Sequence, residues 1–292
     1  MRKTSILFMA CAALLLAGTV HAQSIYSDTY VIPIAGHNTG AFGSVFMTDI
    51  AITNFQNDPL TVQIIVIETG ENTTDNVFPL TTDSVNGSVV VPPKSTVLLR
   101  DVLNNYRGMA NATGALLLGA DQPFAATSRT YNAKNGGVGD TVAPARDFLV
   151  SGSDKTAIAY ITGLTSNASF RSNIGFVAAN TSTDPLVIEV RVRDASGNSL
   201  GTRLITVPPG NFTQTQFPVS AISSTPFDVG SAEIRIVGGS GAVVPYATVN
   251  DNATGSAAFI MGQFPSSGTL GGSSLGSNVF RDLIVRMSSS TR

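Results

Sequence analysis

The sequence predicts an all-β fold, arranged as two tandem immunoglobulin-like β-sandwiches that arose by internal duplication. Three observations predict it: apolar residues alternate with a period of two, turn-forming residues recur at short intervals, and several blocks occur twice in the same order. Period-two alternation places apolar side chains on one face of a strand, and many short strands separated by turns are typical of a sandwich. Apolar residues at helical spacing are nearly absent.

The alternation is clearest in residues 186–193, where three β-branched residues (Ile188, Val190 and Val192) are separated by charged ones. Residues 60–67 are also rich in valine and isoleucine and predict another strand.

Turn residues separate these runs. Examples are Asn57-Asp58-Pro59 before the strand at residues 60–67 and Ala195-Ser196-Gly197-Asn198 after the strand at residues 186–193. The stretch RDVLNNY (100–106) predicts a single helical turn at a corner of the first sandwich.

The duplication rests on two sequence markers. Asp58-Pro59-Leu60 returns as Asp184-Pro185-Leu186, and VVVPPKS from residue 89 returns as ITVPPGN from residue 205. Further blocks repeat on both sides of these markers and keep their order. Each copy has about 110–120 residues, a common domain size. We therefore predict one sandwich over residues 23–146 and another over residues 157–264.

A third fragment follows the second copy. Residues 265–277 are a Gly/Ser-rich linker, and residues 278–287 resemble the opening strand of the first copy. The favoured interpretation is that this strand packs on its own chain. The alternative is that Phe280, Asp282, Leu283 and Val285 pair with a sheet edge of a neighbouring molecule.

The N-terminal residues predict export. Arg2 and Lys3 precede the apolar run 6–16, and Val20-His21-Ala22 supplies a signal-peptidase site, so residues 1–22 are predicted to be a signal peptide. The expected location is periplasmic, extracellular or at the cell surface. No later run approaches the roughly 18–20 apolar residues of a membrane-spanning helix. Cys11 would leave with the signal, so the mature chain would depend on core burial without disulfides.

Composition excludes one class of partner. The chain carries 17 Lys and Arg against 19 Asp and Glu, and charged residues make up only 12% of it. Because no basic stripe is present, nucleic-acid binding is not expected. A surface rich in Ser, Thr, Asn and Gly repels itself weakly, which permits assembly.

Four blocks carry a resemblance to known proteins: VIPIAGHNTGAFGSVFMTDIAITN, SRTYNAKNGG, TSNASFRSNIGFVAANTS and YATVNDNATGSAAFI. They are similar to a recurrent tandem-repeat β-sandwich module of secreted, largely uncharacterised bacterial proteins. The resemblance covers most of residues 30–262. It implies tandem sandwiches and export, and it transfers no catalytic residue.

The residues that could support catalysis are few. His37 would be the only general base for a Ser-His-Asp arrangement, and its setting in AGHNTGAFG predicts a solvated loop. Gly272–Gly276 matches G-x-S-x-G but lies in the predicted linker instead of a strand-to-helix turn. The glutamates Glu68, Glu71, Glu189 and Glu233 form no recognisable acid/base pair, and the last two are expected on outer strand faces.

Three further groups have both a binding and a structural interpretation. Asn250, Asp251 and Asn252 offer few charged oxygens for calcium, so a turn closed by the Asp side chain is favoured. Asp49 and Asn173 recur at matching places, where side chains that satisfy backbone donors are favoured over ligands. A third set could form an anion-binding patch or be ordinary surface arginines: Arg100, Arg107 and Arg129.

These observations predict an exported, non-enzymatic structural or adhesive protein that acts through surfaces or sheet edges, without cofactor or metal. Its candidate partners are a second copy, in the alternative where the C-terminal strand pairs between molecules, and a glycan or a surface protein. The alternative is a carbohydrate- or peptide-binding module with a site in loops at one end of a sandwich.

Overall fold

The fold is all-β, as the sequence predicts. A computed structural model describes residues 27–40, 43–70, 77–79, 87–134, 141–142, 149–151, 157–180 and 182–263. Strands make up 68% of them and pair in antiparallel sheets. The predicted signal peptide, the linker and the C-terminal strand with Phe280, Asp282, Leu283 and Val285 lie outside the described residues. Within those ranges, no helix has the length and apolar character needed to cross a membrane.

The N-terminal half, residues 27–142, forms eight strands and one short helix within its described residues. The helix α1 (Val102–Arg107) lies at the predicted helical turn and packs Val102 and Leu103 into the core. The strands are β1 (Ser27–Thr39), β2 (Val45–Thr53), β3 (Leu60–Glu68), β4 (Val77–Pro79), β5 (Ser88–Val91), β6 (Thr96–Leu99), β7 (Ala112–Asn132) and β8 (Thr141–Val142).

These eight strands belong to one sheet because β7 is 21 residues long and takes part in two layers. Residues 112–119 of β7 pair with β1, and residues 114–119 pair with β3. Residues 125–132 pair with β2, which also pairs with β6. The sheet therefore folds over its own core, to which β1, β2, β3 and β7 all contribute buried side chains.

The C-terminal half, residues 149–261, forms two sheets. One has the order β10-β15-β12-β13, and the other has the order β14-β11-β16-β17 with β9 added on β16. The strands are β9 (Leu149–Ser151), β10 (Ala159–Ser166), β11 (Phe170–Ala179), β12 (Leu186–Asp194), β13 (Ser199–Val207), β14 (Phe212–Pro218), β15 (Phe227–Gly238), β16 (Gly241–Asp251) and β17 (Ala257–Met261). A second core lies between the two sheets.

Strand β12 has the one-sided burial that its alternation predicts. Ile188, Val190 and Val192 are buried in the second core. On the other face, Glu189 Oε1 lies 2.7 Å from Arg235 Nε, and Glu233 Oε1 lies 2.7 Å from Arg193 Nε. The two glutamates thus lie on the outer face, where they form cross-strand ion pairs.

Strand β3 is buried on both faces over residues 64–67. Ile64 and Val66 point into the first core, whereas Ile65 and Ile67 belong to a third apolar cluster. This interface cluster contains nine buried residues, five from the N-terminal half and four from the C-terminal half. They are Val31, Ile65, Ile67, Ala115 and Leu117, facing Val177, Ala179, Ala242 and Val244.

The interface cluster joins the two halves through their sheet faces. The sequence predicts sandwiches in tandem, but this shared buried surface was not predicted from it. Tyr246 of β16 extends the contact, because its fully buried side chain packs with the first core.

A buried asparagine fixes the same backbone corner in each half. Asn54 Nδ2 donates to the carbonyl oxygens of Asp58 (2.8 Å), Val91 (3.0 Å) and Pro92 (3.2 Å). Its Oδ1 accepts from the backbone N–H of Gln56 at 2.8 Å.

Asn180 repeats this pattern. Its Nδ2 donates to the carbonyl oxygens of Asp184 (2.8 Å), Val207 (2.9 Å) and Pro208 (3.0 Å). Its Oδ1 accepts from Ser182 N at 3.0 Å. Each asparagine lies four residues before an Asp-Pro step and is fully buried.

We expect Asn54→Ala and Asn180→Ala each to lower the free energy of unfolding by about 1–3 kcal/mol, because buried carbonyls lose their donor. Urea denaturation of each variant measures this. Asn105→Ala, at an exposed helix position, is the matched control and should change the midpoint little. Unaltered midpoints for both buried asparagines would contradict the assigned role.

Candidate binding cleft between the two halves

A cavity of about 350 Å³ lies between the two halves, beside the interface cluster. One wall comes from β1, β2 and β7, and the other from β11, β14, β16 and β17. Its size is near the lower end of the range for small-molecule sites, about 300–1,000 Å³.

Uncharged polar groups and aromatic rings line this cleft. The side-chain amides are Asn38, Asn132, Asn173, Gln216 and Asn250. Threonine hydroxyls and the rings of Phe46, Tyr131, Phe217 and Phe259 complete most of the lining. Among the described lining residues, Arg171 alone carries a charge, and its Nη1 donates to Asn252 Oδ1 at 2.7 Å.

The amides of the C-terminal wall converge on one hydroxyl. Asn173 Nδ2, Gln216 Nε2 and Asn250 Nδ2 lie 3.3, 3.2 and 3.2 Å from Thr248 Oγ1. Strand pairing produces this convergence, because Thr248 is the register partner of Asn173. This wall is held in place by bonds between its own side chains.

The N-terminal wall presents a row of three side chains across neighbouring strands. Phe46 of β2 is the register partner of Asn38 on β1 and of Asn132 on β7. Register partners in antiparallel strands direct their side chains to the same face. In this row, the aromatic residue is therefore the middle one and an amide residue stands on either side of it.

Two atoms of this row lack hydrogen bonds. Asn132 is 2% exposed, and its Oδ1 accepts from the backbone N–H groups of Val45 (3.1 Å) and Lys134 (3.2 Å). These bonds fix the orientation of the amide. Within the described part of the chain, Asn132 Nδ2 and Asn38 Oδ1 are buried without a partner. Because such atoms are costly to bury unpaired, they indicate a place for a ligand or water.

Beside the cleft, a buried polar contact joins the halves. Thr69 Oγ1 donates to Gln214 Oε1, Gly70 N donates to Gln214 O at 2.9 Å, and Gln214 Nε2 donates to the hydroxyl of Tyr246. The Tyr246 ring lies over Gly175, where an added Cβ would be 2.3 Å from the ring. It also stacks on Phe259 at a centroid distance of 5.5 Å.

Burial raises the pKa of Tyr246 well above its ordinary value of 10, and the bond from Gln214 offsets this only in part. Above pH 10 the unfolded chain loses this proton while the folded chain keeps it. The contribution of this protonated hydroxyl to the free energy of unfolding is therefore fully present below pH 10 and is lost as the pH rises further.

We expect the free energy of unfolding to fall above pH 10, with Tyr246 contributing about 1.4 kcal/mol per pH unit. Tyr246→Phe removes this ionisation, so its stability should fall less steeply between pH 10 and 11.5. Urea denaturation at several pH values measures both slopes. Parallel slopes would show that Tyr246 does not control the alkaline response.

The structure places His37 differently from its predicted loop. It lies within β1, paired with Met47 and Ala112, and its Nδ1 is 2.8 Å from Asp101 Oδ1. The loop assignment was wrong because β2 and β7 supply hydrogen-bond partners for this polar stretch. The pair links β1 to the residue that precedes α1.

Asp49 supports the same corner. Its Oδ1 accepts from Asp101 N at 2.9 Å, and its Oδ2 lies 3.9 Å from Arg100 Nη1. The other candidate arginines have different neighbours. Arg129 lies over the Tyr131 ring at 5.1 Å, and burial lowers the pKa of Arg107 against an opposing effect of Glu68.

The candidate calcium turn is closed by protein donors. Asp251 Oδ1 accepts from the backbone N–H groups of Ala253 (2.7 Å) and Thr254 (3.1 Å), and Asn252 bonds to Arg171. Asn250 belongs to β16 and contributes to the cleft. No group of three or more His, Cys, Asp or Glu within the described ranges could hold a metal ion. Glu71 and Gly272–Gly276 lie outside those ranges.

The cleft was not predicted from the sequence. Phe46 and Asn132 stand in repeated blocks, but nothing in the sequence of one half indicates which face of the other half it meets. One feature of the sequence could have indicated a contact between the halves. Apolar residues occupy both faces of β3 over residues 64–67 and therefore predict a second buried contact.

Comparisons with known proteins identify no family. No family model matches the chain, and no curated protein matches it. One similar solved structure is a glycosyl hydrolase family 2 member from Bacteroides cellulosilyticus, at 11% identity and a TM-score of 0.16. That match covers 78% of this chain and spans only 25% of the hydrolase chain.

A second match is a structure of the Gt strain of infectious bursal disease virus. It has 9% identity and a TM-score of 0.19, and it covers 90% of this chain and 85% of the viral chain. Both TM-scores are too low to carry an argument about fold or function.

Proposed function

We propose that this chain is an exported, non-enzymatic adhesive protein that binds its partner in the cleft between two β-sandwiches. The observation that carries the proposal is the cleft itself, where Asn132 Nδ2 and Asn38 Oδ1 are buried without partners among the described residues. A ligand that displaces the side-chain atoms covering these two groups gives each a partner and removes the cost of burying it unpaired.

Buried contacts join the two halves that form this cleft, which favours binding. The interface cluster fixes one half against the other, and the Thr69–Gln214–Tyr246 contact crosses between them. A preformed site loses little conformational entropy when a ligand enters it.

We further propose that the two halves are immunoglobulin-like copies of one ancestral unit. The pairing of β3 with β7 and β5 parallels that of β12 with β15 and β13. Likewise, β2 lies between β6 and β7 as β11 lies between β14 and β16.

Local geometry supports the same relation. Asn54 and Asn180 make matching sets of bonds, and their partners are separated by the sequence offsets of the repeated blocks. Lys94 and Gly210, which follow the paired prolines, both have positive φ values, 53° and 69°. A lysine rarely adopts this conformation, so its recurrence supports common descent.

Export is part of the proposal because residues 1–22 have the pattern of a signal peptide. A chain with 12% charged residues and a predicted mature form without cysteine is consistent with an extracellular role.

Filling the cleft tests the proposal. Ala257 lies on the same face of β17 as Phe259 and Met261, which pack toward the first core. We expect Ala257→Phe to fill the cleft and leave the fold intact. Thermal unfolding of the wild type should shift upward with members of a library of oligosaccharides and short peptides, since ligands of the native state raise its stability.

The upward shift should be absent in Ala257→Phe and preserved in Ala195→Phe, a control at an exposed turn. The proposal fails if no library member shifts the wild type, or if Ala257→Phe responds equally.

A further inference from the structure

The unpaired atoms of the cleft restrict the chemistry of its ligand; this inference rests on the proposed function. Asn38 Oδ1 is an acceptor that needs a donor, and Asn132 Nδ2 is a donor that needs an acceptor. Because Asn132 Oδ1 already accepts two backbone N–H groups, its amide cannot reverse without losing them. The ligand must therefore supply both a donor and an acceptor.

Ions fit this requirement poorly. A carboxylate or phosphate ester has no proton to donate to Asn38, and an ammonium group has no lone pair for Asn132. Among the described lining residues only Arg171 is charged, and Asn252 already accepts from it. A charged group would thus be desolvated without a dedicated counter-ion.

The spacing of the row suggests how such a ligand lies. Asn38, Phe46 and Asn132 occupy three adjacent strands, and neighbouring strands are about 4.7–4.9 Å apart, so the outer Cα atoms are about 10 Å apart. Phe46 is the middle residue of the row. A flat apolar face with hydroxyl groups at both edges would cover the ring and satisfy both amides.

The opposite wall offers complementary chemistry. Thr248 Oγ1 is surrounded by three amide donors, and the Asn173 and Gln216 side chains face the same cavity. Side-chain amides bind hydroxyl groups well because each can both donate and accept.

A peptide is the other neutral candidate. Peptides that bind to sheets usually add a strand, so their affinity comes from main-chain groups along an edge. Here the unpaired groups are side-chain amides on either side of an aromatic ring, which favours hydroxyls on a ring over an extended backbone.

We propose that the cleft binds one or two residues of a neutral saccharide, with a sugar ring on Phe46 and its hydroxyls bonded to Asn38 and Asn132. Each hydroxyl can donate to Oδ1 or accept from Nδ2, so one chemical group meets both requirements. The 350 Å³ volume suits a short segment of a glycan.

The test is an array that carries neutral, sialylated and sulfated oligosaccharides beside neutral and charged peptides. The full chain should bind neutral oligosaccharides, and titration calorimetry with the best neutral oligosaccharide should give its affinity. We expect Asn38→Leu to weaken that affinity about tenfold and Phe46→Leu about three- to tenfold. Asn57→Leu, an exposed position outside the cleft, is the matched control and should bind like the wild type.

Thermal unfolding of each variant confirms that it is folded before binding is compared. Binding of peptides or charged glycans alone, blocked by Ala257→Phe, overturns the saccharide assignment and leaves the proposed cleft function standing. Neutral-saccharide binding that Ala257→Phe does not affect overturns both the saccharide assignment and the proposed function of the cleft. Absence of any neutral-saccharide binding also overturns the assignment.

Discussion

The structure depends on the burial of one apolar sheet face against another. Ile65, Ile67 and Leu117 project from the outer face of the first sheet and meet Val177 and Val244 of the second half. Each side chain of this size stabilises the folded state by about 1.5–3 kcal/mol when fully buried. Without this contact, the N-terminal half would expose a continuous apolar face to solvent, which soluble proteins avoid.

The outer face of β12 and β15 in the second half corresponds to the outer face of β3 and β7 in the first half. Its chemistry explains why it is not buried against another sheet. There β12 carries Glu189 and β15 carries Glu233 and Arg235, which form ion pairs at the surface. A charged face is stable in water and does not need a covering sheet. The two halves therefore have similar strand orders, but their outer faces differ in chemistry, and this difference determines which face meets which.

The cleft lies next to this contact. Phe46 and Asn132, which share a strand face with residues of the first core, line it together with Asn173 and Thr248 of the other half. Tyr246 stacks on Phe259, which lines the cleft, and accepts a hydrogen bond from the buried Gln214 side chain. The cleft can bind a ligand because paired strands hold its polar side chains at fixed spacing and leave the space between the walls open.

Part of this architecture could be predicted from the sequence. The alternation at Ile188 and Val190 predicted one-sided burial because the period of a strand leaves no other place for those side chains. His37 was assigned to a loop because its neighbours are glycine and asparagine. Local composition carries no information about the strand partners that tertiary structure supplies. The cleft could not be predicted, because it depends on which sheet faces of the two halves meet, as at Ile65 and Val177, and the sequence of neither half states this by itself.

The most direct test of the central claim is scanning calorimetry of the full chain. If the interface cluster joins the halves energetically, they unfold together, and the calorimetric enthalpy equals the van't Hoff enthalpy of a single transition. Two separate transitions, each with the enthalpy of about half the chain, would contradict the account, because the halves would then be stable without their shared surface.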